Sequence, residues 1–295
     1  MEEPGFAHTG QLASARLAVL GLGLMGGSLA LALRGRCREL VGIDPDPTAL
    51  RLAAERGACD RLSADPASLL PACDLVILAA PVKAILLLLS NLPRLHPGSP
   101  VVIDLGSTKT DVLQAMEHLP ARFDPLGGHP MCGKEQSTLA AGDPAIFHGR
   151  PFAFTRLERT SPAACRLADE LARALGALPL WLDAETHDRW VASTSHLPYL
   201  VSCGLASATE VEAAPLAGTG FTSATRLAAT PSSVMLDVLL TNRANLVASL
   251  KAFRGCLDSL EDALIRQDSE GLRQLLDSAA ARRTAVLAAS AGGLQ

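Results

Sequence analysis

The feature that most constrains the fold is a repeated alternation of short apolar runs with helical patterns. Four runs occur early, RLAVLG (16–21), ELVGID (39–44), DLVILAAP (74–81) and PVVIDLGS (100–107), and each precedes a helical pattern. Runs that are apolar on both faces suit a parallel sheet covered by helices on each side. We expect two more strands at PFAFTR (151–156) and LPLWLD (178–183), flanking a helix from about Pro162 to Leu175. Residues 1–183 are therefore predicted to form a doubly wound α/β domain.

The pattern changes after Asp183, and no further strand is expected. A helical pattern extends from Glu185 to about Thr209, with its larger residues spaced three or four apart, namely Trp190, Thr194, Leu197, Val201 and Leu205. Pro198 should kink this helix, because its ring removes an amide donor and crowds the carbonyl four residues back. Another helix follows Pro231, with Asn242 interrupting its apolar face, and the chain stays helical to about Ala289. Residues 184–295 are thus predicted to be an all-helical domain. Its wide apolar stripes suggest a homodimer interface, with a self-contained bundle as the alternative.

A cluster of glycines follows the first predicted strand, in VLGLGLMGGS (19–28). Gly21, Gly23 and Gly26 form a GxGxxG motif between a strand and a helix, the context that a Rossmann-type dinucleotide site requires. In such a site the glycines permit a tight turn and close approach of a pyrophosphate, and the helix N-terminus offers free amides. Gly21, Gly23, Leu24, Met25 and Gly26 are therefore the candidate cofactor contacts.

Asp44 ends the second predicted strand, 21 residues after Gly23. This offset suits an acid that accepts hydrogen bonds from a ribose and repels a 2′-phosphate. Because no arginine occurs at positions 45–48, NAD is favoured over NADP. The alternative is that Asp44 only caps the helix that follows.

Composition excludes several classes of protein. The net charge is −4 with no basic run, so we expect no nucleic-acid partner. The N-terminus is acidic and has no apolar stretch, which argues against a signal peptide. The most apolar region contains Pro81 and Lys83, so a buried strand and helix are expected there and no membrane span. Seven cysteines without a CxxC pair suit free thiols in a reducing cytoplasm. His129 and Cys132 lack a second pair of ligands nearby, so no metal site is predicted.

Three further stretches carry residues suited to catalysis. They are DLGSTKT (104–110), PLGGHPMCGKE (125–135), in which His129 is predicted to lie in a loop, and the pair SHLPYL (195–200) and GFTSATRLA (220–228). With these and the GxGxxGGS fingerprint, the chain resembles the prephenate/arogenate dehydrogenase family of tyrosine biosynthesis from about Leu17 to about Arg266. The family's marks are that fingerprint, a D-x-G-S-x-K turn, a G-x-H-P-M/I-x-G-x-E loop, an S-H-L-P segment and a T-R pair, and they occur here in order.

The resemblance implies NAD-dependent oxidative decarboxylation of prephenate, arogenate or both, and it assigns a role to individual residues. His129 matches the catalytic histidine that takes the proton of the ring hydroxyl. Ser107 matches a serine that contacts the same hydroxyl and orients the histidine, and it is also a candidate cofactor contact. The substrate-binding positions are His196, Arg226, which holds a carboxylate, and Glu135 at the pocket rim.

The sequence departs from the family pattern at a few positions near these residues. Lys134 stands where a small hydroxylated residue is usual, Cys132 where alanine is usual, and Ser223-Ala224 where many relatives have Asp-Thr. The loss of an acid beside Arg226 leaves the choice of substrate and the response to tyrosine open.

The residue types suit this chemistry, but other interpretations exist. Oxidation at a carbon that bears a hydroxyl needs a base near neutrality, which histidine supplies, and an arginine fork suits a carboxylate. Alternatively His196 is a packed helix residue and Arg226 is a surface charge. Lys109 and Lys134 either bind phosphate or substrate or are solvated surface residues. The alternative functions are a two-domain dehydrogenase of the 3-hydroxyacid type, which would need a catalytic lysine on a helix of the second domain, and an NAD-sensing regulator without turnover.

Overall fold

The computed structural model of the chain describes residues 10–134 and 136–292. Its first part contains one eight-stranded sheet, in the order β3-β2-β1-β4-β5-β6-β7-β8. Neighbouring strands are parallel except for β6 and β7, which are antiparallel. The strands are Arg16–Leu20 (β1), Glu39–Ile43 (β2), Arg61–Ser63 (β3), Leu75–Leu78 (β4), Val101–Asp104 (β5), Asp124–Pro130 (β6), Pro151–Arg156 (β7) and Leu178–Trp181 (β8).

Helices cover both faces of this sheet. They are Gln11–Ser14 (α1), Leu24–Leu33 (α2), Pro47–Glu55 (α3), Pro66–Leu69 (α4), Val82–Leu95 (α5), Thr110–Glu117 (α6) and Pro162–Ala174 (α7). Successive residues of β1 enter different cores, because side chains alternate along a strand. Leu17 and Val19 lie in one buried cluster, and Ala18 and Leu20 lie in the other. The predicted doubly wound Rossmann-type domain is therefore confirmed.

The second part of the described chain is all-helical, as predicted. Its helices are Ala184–Val191 (α8), Leu197–Ala208 (α9), Thr219–Thr225 (α10), Ser232–Thr241 (α11), Arg243–Ile265 (α12) and Ser269–Gly292 (α13). A π-helical turn over Ala192–His196 joins α8 to α9 directly before Pro198, so the irregularity expected from this proline is present. Short 3₁₀ turns occur at Leu70–Ala72, Leu139–Ala141, Pro144–Phe147, Val211–Leu216 and Arg226–Ala229. In residues 10–134 and 136–292, no helix combines the length and apolarity needed to cross a membrane.

One expectation about local structure is wrong. His129 does not lie in a loop, because residues 124–130 form β6, which pairs with β5 on one side and β7 on the other. Its glycines and prolines have low strand propensity, and hydrogen bonds from both neighbours compensate for this. In α8, Trp190 lies on the exposed face, and the buried face carries His187 and Val191.

Candidate active site

The glycine loop, which consists of Gly21, Leu22 and Gly23, lies where the strand order reverses, at the carboxyl ends of β1 and β4. Gly21 directly follows β1 with a φ of +100°, a conformation that favours glycine. A Cβ on Gly21 would lie 2.2 Å from the carbonyl oxygen of Ala79, which follows β4. A Cβ on Gly26 would lie 1.9 Å from the carbonyl oxygen of Gly21. Both positions therefore require glycine, and the loop leads directly into the N-terminus of α2. This is the crevice in which doubly wound folds bind their ligands.

Asp44 lies directly after β2 and supports the same loop. Its Oδ2 accepts a hydrogen bond from the Leu22 amide at 2.6 Å, and its Oδ1 accepts one from the Asp46 amide at 2.8 Å. The cap of α3 is Asp46, whose side chain accepts from the Thr48 amide, so the alternative role considered for Asp44 belongs to Asp46. Each carboxylate oxygen of Asp44 has a further lone pair with which to accept a hydrogen bond.

The segment after β6 returns to the glycine loop. The amide of Leu24 donates to the carbonyl oxygen of Ser137 at 2.8 Å, and a Cβ on Gly23 would lie 3.0 Å from that oxygen. The Leu24 amide, a candidate phosphate contact, is thus engaged by the chain itself. Met25 follows it in the first turn of α2.

Asp104, at the end of β5, joins the turn that carries Ser107 to the strand that carries His129. Its fully buried carboxylate accepts hydrogen bonds from the Gly106 amide at 2.7 Å and from the Gly128 amide at 3.2 Å. The residues that follow these two amides are Ser107 and His129. One carboxylate therefore positions the backbone on which both predicted catalytic residues stand.

Lys109 is fully buried, so the expectation that it could be a solvated surface charge is wrong. Its ammonium forms an ion pair with Asp104 and donates to the carbonyl oxygen of Gly128 at 2.7 Å. Burial raises the pKa of Asp104 and lowers the pKa of Lys109, while their mutual attraction acts in the opposite direction. Lys109 thus joins Asp104, at the end of β5, to the backbone of β6 at Gly128, and it places a cation close to His129.

His129 lies half-buried on β6 among nitrogen bases and a cation. Its pKa is held well below the ordinary value, first by burial, and then by His187, Lys109 and His196. Its Nδ1 lies 2.9 Å from Nε2 of His187. His129 is therefore neutral at physiological pH, the state that a general base requires.

His187 and Asp188 are site residues that the sequence analysis missed. Both are buried on α8, and Nδ1 of His187 lies 2.8 Å from Oδ1 of Asp188. Asp188 also accepts from the amides of Lys109 and Thr110 at 2.7 and 2.9 Å, and from the Thr110 hydroxyl at 2.6 Å. Their spacing in the sequence could have indicated them. His187 and Asp188 precede Val191 and Ala192 by one helical turn, so all four lie on the buried face of the helix.

His196 is buried at the end of the π-helical turn, and burial lowers its pKa to about 4. The Asn242 side-chain amide lies 3.2 Å from Nδ1 of His196 and donates to the backbone oxygen of Asp188 at 2.7 Å. Because this amide is a donor, Nδ1 of His196 accepts and Nε2 carries the hydrogen. Within the described part of the chain, Nε2 has no hydrogen-bond partner. His196 therefore offers a neutral, unpaired donor.

The remaining candidates lie farther along the chain. Arg226 is exposed at the C-terminal end of α10, and its turn packs on α9 through a 3.0 Å hydrogen bond from the Ala228 amide to the Ser202 hydroxyl. Glu135 lies outside the described residues. Lys134 donates to the carbonyl oxygen of Ala141 at 3.0 Å and pairs with Asp143. Burial raises the pKa of Cys132 to about 12. Across residues 10–134 and 136–292, no three His, Cys, Asp or Glu side chains are grouped as metal ligands.

Comparison with known protein families and relatives shows the family of this chain. Residues 29–178 match the model described as "Prephenate dehydrogenase, nucleotide-binding domain", and residues 183–278 match "Prephenate dehydrogenase, dimerization domain". Among characterised relatives, prephenate dehydrogenase of Bacillus subtilis is 29% identical over 85% of this chain and 71% of its own length. Cyclohexadienyl dehydrogenase of Zymomonas mobilis is 26% identical, with 87% and 90% covered.

Solved structures of similar proteins agree with this assignment. A prephenate dehydrogenase of A. aeolicus, in complex with hydroxyphenyl propionate and NAD+, superposes with a TM-score of 0.86 at 26% identity over 94% of this chain and 99% of that one. Synechocystis arogenate dehydrogenase gives a TM-score of 0.78 at 28% identity over 92% and 99%. Together with the two domain matches, these similarities show that the chain belongs to the prephenate dehydrogenase family.

Proposed function

We propose that this enzyme catalyses the NAD-dependent oxidative decarboxylation of prephenate, arogenate or both, in tyrosine biosynthesis. The observation that carries the proposal is the neutral His129 on β6, tied through Asp104 to the turn that carries Ser107. These two residues lie at the carboxyl edge of the parallel strands, where the glycine loop also lies. A base and a dinucleotide crevice on one sheet edge support a dehydrogenase.

The chemistry divides between the cofactor and the residues of this chain. When bound, NAD supplies the hydride acceptor, and Gly21, Gly23, Leu24, Met25, Gly26 and Asp44 are the residues proposed to hold it. His129 takes the proton of the ring hydroxyl, and Ser107 hydrogen-bonds the same oxygen and adjoins the cofactor. Loss of hydride from the carbon that bears the hydroxyl leaves a carbon–oxygen double bond. The bond between the ring and its carboxylate then breaks and CO₂ leaves, while the electron pair of that bond passes through the ring to the oxygen. The ring becomes aromatic, and the oxygen regains a proton from His129 to give a phenol. The aromatic product makes the step effectively irreversible.

The substrate's two carboxylates need donors away from the reacting carbon. His196 supports one such contact, because its Nε2–H is buried, neutral and without a partner among the described residues. We assign the second to Arg226, whose planar fork suits a carboxylate. The alternative 3-hydroxyacid chemistry has less support, because Lys251, the lysine on the long helices, is exposed on α12.

NAD is the expected cofactor form, and NADP is disfavoured. A 2′-phosphate near Asp44 would meet a carboxylate, and positions 45–48 offer no arginine to neutralise it. The Asp44 oxygens already hold the Leu22 and Asp46 amides, so a ribose would be bound by a carboxylate that is fixed in place.

We propose a homodimer through the helical domain, and the exposed apolar side chains of the last helices support it. Only Leu246 and Ala263 are buried in the 23 residues of α12. Leu264 and Ile265 are 61% and 73% exposed, and Leu276 and Leu287 of α13 are more than half exposed. Apolar area of this extent on two long helices supports association with a second copy rather than a self-contained bundle. A monomer in sedimentation equilibrium at micromolar concentration would contradict this proposal.

Two further proposals concern domain organisation and compartment. We place the domain boundary at residues 183 and 184, since β8 ends at Trp181 and Asp183 caps α8 by accepting from the Thr186 amide at 2.7 Å. A cytoplasmic location is supported by the seven cysteines, all of which are free thiols. Burial raises the pKa of Cys59 to about 12, which keeps that thiol protonated and unreactive.

One assay tests the proposed function. NADH or NADPH formation is followed by absorbance with prephenate and with arogenate, each paired with NAD and with NADP. We expect turnover with NAD and at least one of the two substrates, and little with NADP. If neither substrate supports turnover with either cofactor, the proposed function is wrong, whereas equal use of NADP refutes only the role of Asp44.

A further inference from the structure

His187 contacts the proposed base directly, and none of the sequence motifs accounts for it. Its ring is 1% exposed and meets that of His129 nearly edge to face, with centroids 5.1 Å apart. The contact joins Nε2 of His187 to Nδ1 of His129, and one of these two nitrogens must carry the hydrogen. Which nitrogen carries it decides whether His129 presents a lone pair or an N–H on its other side.

The hydrogen-bond partners of Asp188 determine where the hydrogens of His187 lie. The Asp188 carboxylate accepts from the Lys109 amide and from both the amide and the hydroxyl of Thr110. Burial opposes its ionisation, but these bonds and the one from His187 outweigh burial and hold its pKa below the ordinary value. An ionised carboxylate only accepts hydrogen bonds, so Nδ1 of His187 is the donor in the 2.8 Å contact.

Because Nδ1 of His187 is a donor, the role of its other ring nitrogen, Nε2, is determined when the ring is neutral. A neutral imidazole has one N–H, so Nε2 of His187 is an acceptor, and His129 must donate to it from Nδ1. We infer that His187, held by Asp188, is a positioning residue that locks His129 in its Nδ1–H tautomer and leaves Nε2 as the basic atom. The inference rests on the proposed function, in which His129 takes the proton of the substrate hydroxyl.

The consequence for the reaction is a defined route for one proton. The O–H bond of the substrate breaks and an N–H bond forms at Nε2, so His129 becomes an imidazolium. Its Nδ1–H stays in place and points at the lone pair of His187, behind which lies the Asp188 carboxylate. The charge that develops on His129 therefore faces an acceptor and an anion on one side, which offsets the opposing effect of Lys109.

The direct test is ¹⁵N NMR of histidine-labelled enzyme at a pH at which His129 is neutral, with the His129→Asn protein identifying its signals. We expect a protonated Nδ1 and an unprotonated Nε2 in the unaltered enzyme. The His187→Leu variant offers no acceptor, so the Nε2–H form of His129 should become populated. A protonated Nε2 in the neutral His129 of the unaltered enzyme would overturn the inference, whatever its activity.

Kinetics then separate positioning from a merely structural role. His187→Leu should lower kcat on the order of 10²-fold with the Kd of NAD unchanged, within the range seen when an orienting partner is removed. His187→Gln keeps an oxygen near the place of Nε2 that can accept from His129, so it should recover most of kcat. Equal loss in both variants, or full activity in His187→Leu, contradicts the inference. Absence of turnover in the unaltered enzyme instead refutes the proposed function and leaves the NMR result to decide this one.

Discussion

Replacement of His129 by asparagine tests the chemical core of the proposal. Asparagine retains a hydrogen-bonding side chain at the site but cannot accept a proton at neutral pH. A positioned general base contributes about 10²–10⁴ in rate, so kcat for His129→Asn should fall by that factor, or about 3–5 kcal/mol in the barrier. Substrate affinity should change far less, because the carboxylates are anchored elsewhere.

The pH dependence of kcat/KM gives the sharper measurement. His129 is active when neutral, and activity is lost as pH falls through its pKa in the free enzyme. Burial lowers this pKa, and His187, Lys109 and His196 lower it further. The acid limb should therefore lie below pH 6.5, the ordinary value for histidine, and kcat/KM should stay flat as pH falls from 8 to about 6.5.

The matched control is His118→Asn, since His118 is exposed at the end of α6 and bonds the carbonyl oxygen of Gln114. This control should keep the rate and the profile of the unaltered enzyme. If His129→Asn keeps most of its kcat and the same acid limb, the base lies elsewhere. An acid limb centred above pH 6.5 would instead show that the surroundings of His129 raise its pKa, contrary to the structure.

Three further predictions concern the anchor, acid stability and the buried ion pair. Arg226→Gln should raise KM for the substrate roughly 10–100-fold, the usual effect of one charged hydrogen bond, with the Kd of NAD unchanged in a fluorescence titration. The folded-state pKa of His196 is depressed to about 4, so the stability it contributes is present above pH 6.5 and lost as pH falls toward 4. In urea titrations across that window, His196→Asn should lose about 3 kcal/mol less than the unaltered protein. Lys109→Met should cost about 3–5 kcal/mol by leaving Asp104 buried alone. Because burial raises the folded-state pKa of Asp104, that deficit should grow as pH rises above about 4, and the Asp104→Asn/Lys109→Met double variant should lose this pH dependence.

The elements that the sequence predicted well are those specified locally. The first two strands, β1 and β2, end one residue before the predicted ends, because apolar runs bounded by glycine or aspartate define a buried strand without reference to the rest of the chain. Family membership, the fold class and the NAD cofactor followed from motifs of the same local kind, and the comparisons confirm them. The three- and four-residue spacing of apolar side chains likewise predicted that the second half of the chain is helical.

The elements that the sequence did not predict depend on partners distant along the chain. Residues 124–130 are glycine- and proline-rich, and they form a strand only because β5 and β7 pair with them. Lys109 is a long charged residue, whose burial is understandable only once Asp104 and the Gly128 carbonyl are known to converge on it. His187 and Asp188 were missed for the same reason, since His129, Thr110 and Lys109, which they contact, lie 58, 78 and 79 residues away in sequence.

His129 and His196 use Nδ1 in opposite ways, as a donor in His129 and as an acceptor in His196, and the partners of both rings are bound to Asp188. Its carboxylate orders His187, which in turn accepts from His129, while its backbone oxygen fixes the Asn242 amide that donates to His196. The same residue type thus supplies the proposed base and a neutral donor. An acceptor, His187, lies behind the ring of His129, and a donor, the Asn242 amide, lies behind the ring of His196. Because Asp188 also binds the Lys109 and Thr110 amides at the start of α6, this arrangement spans the junction of the two domains. We therefore expect movement between the domains to change the surroundings of the proposed base, His129, and of the proposed substrate contact, His196, together.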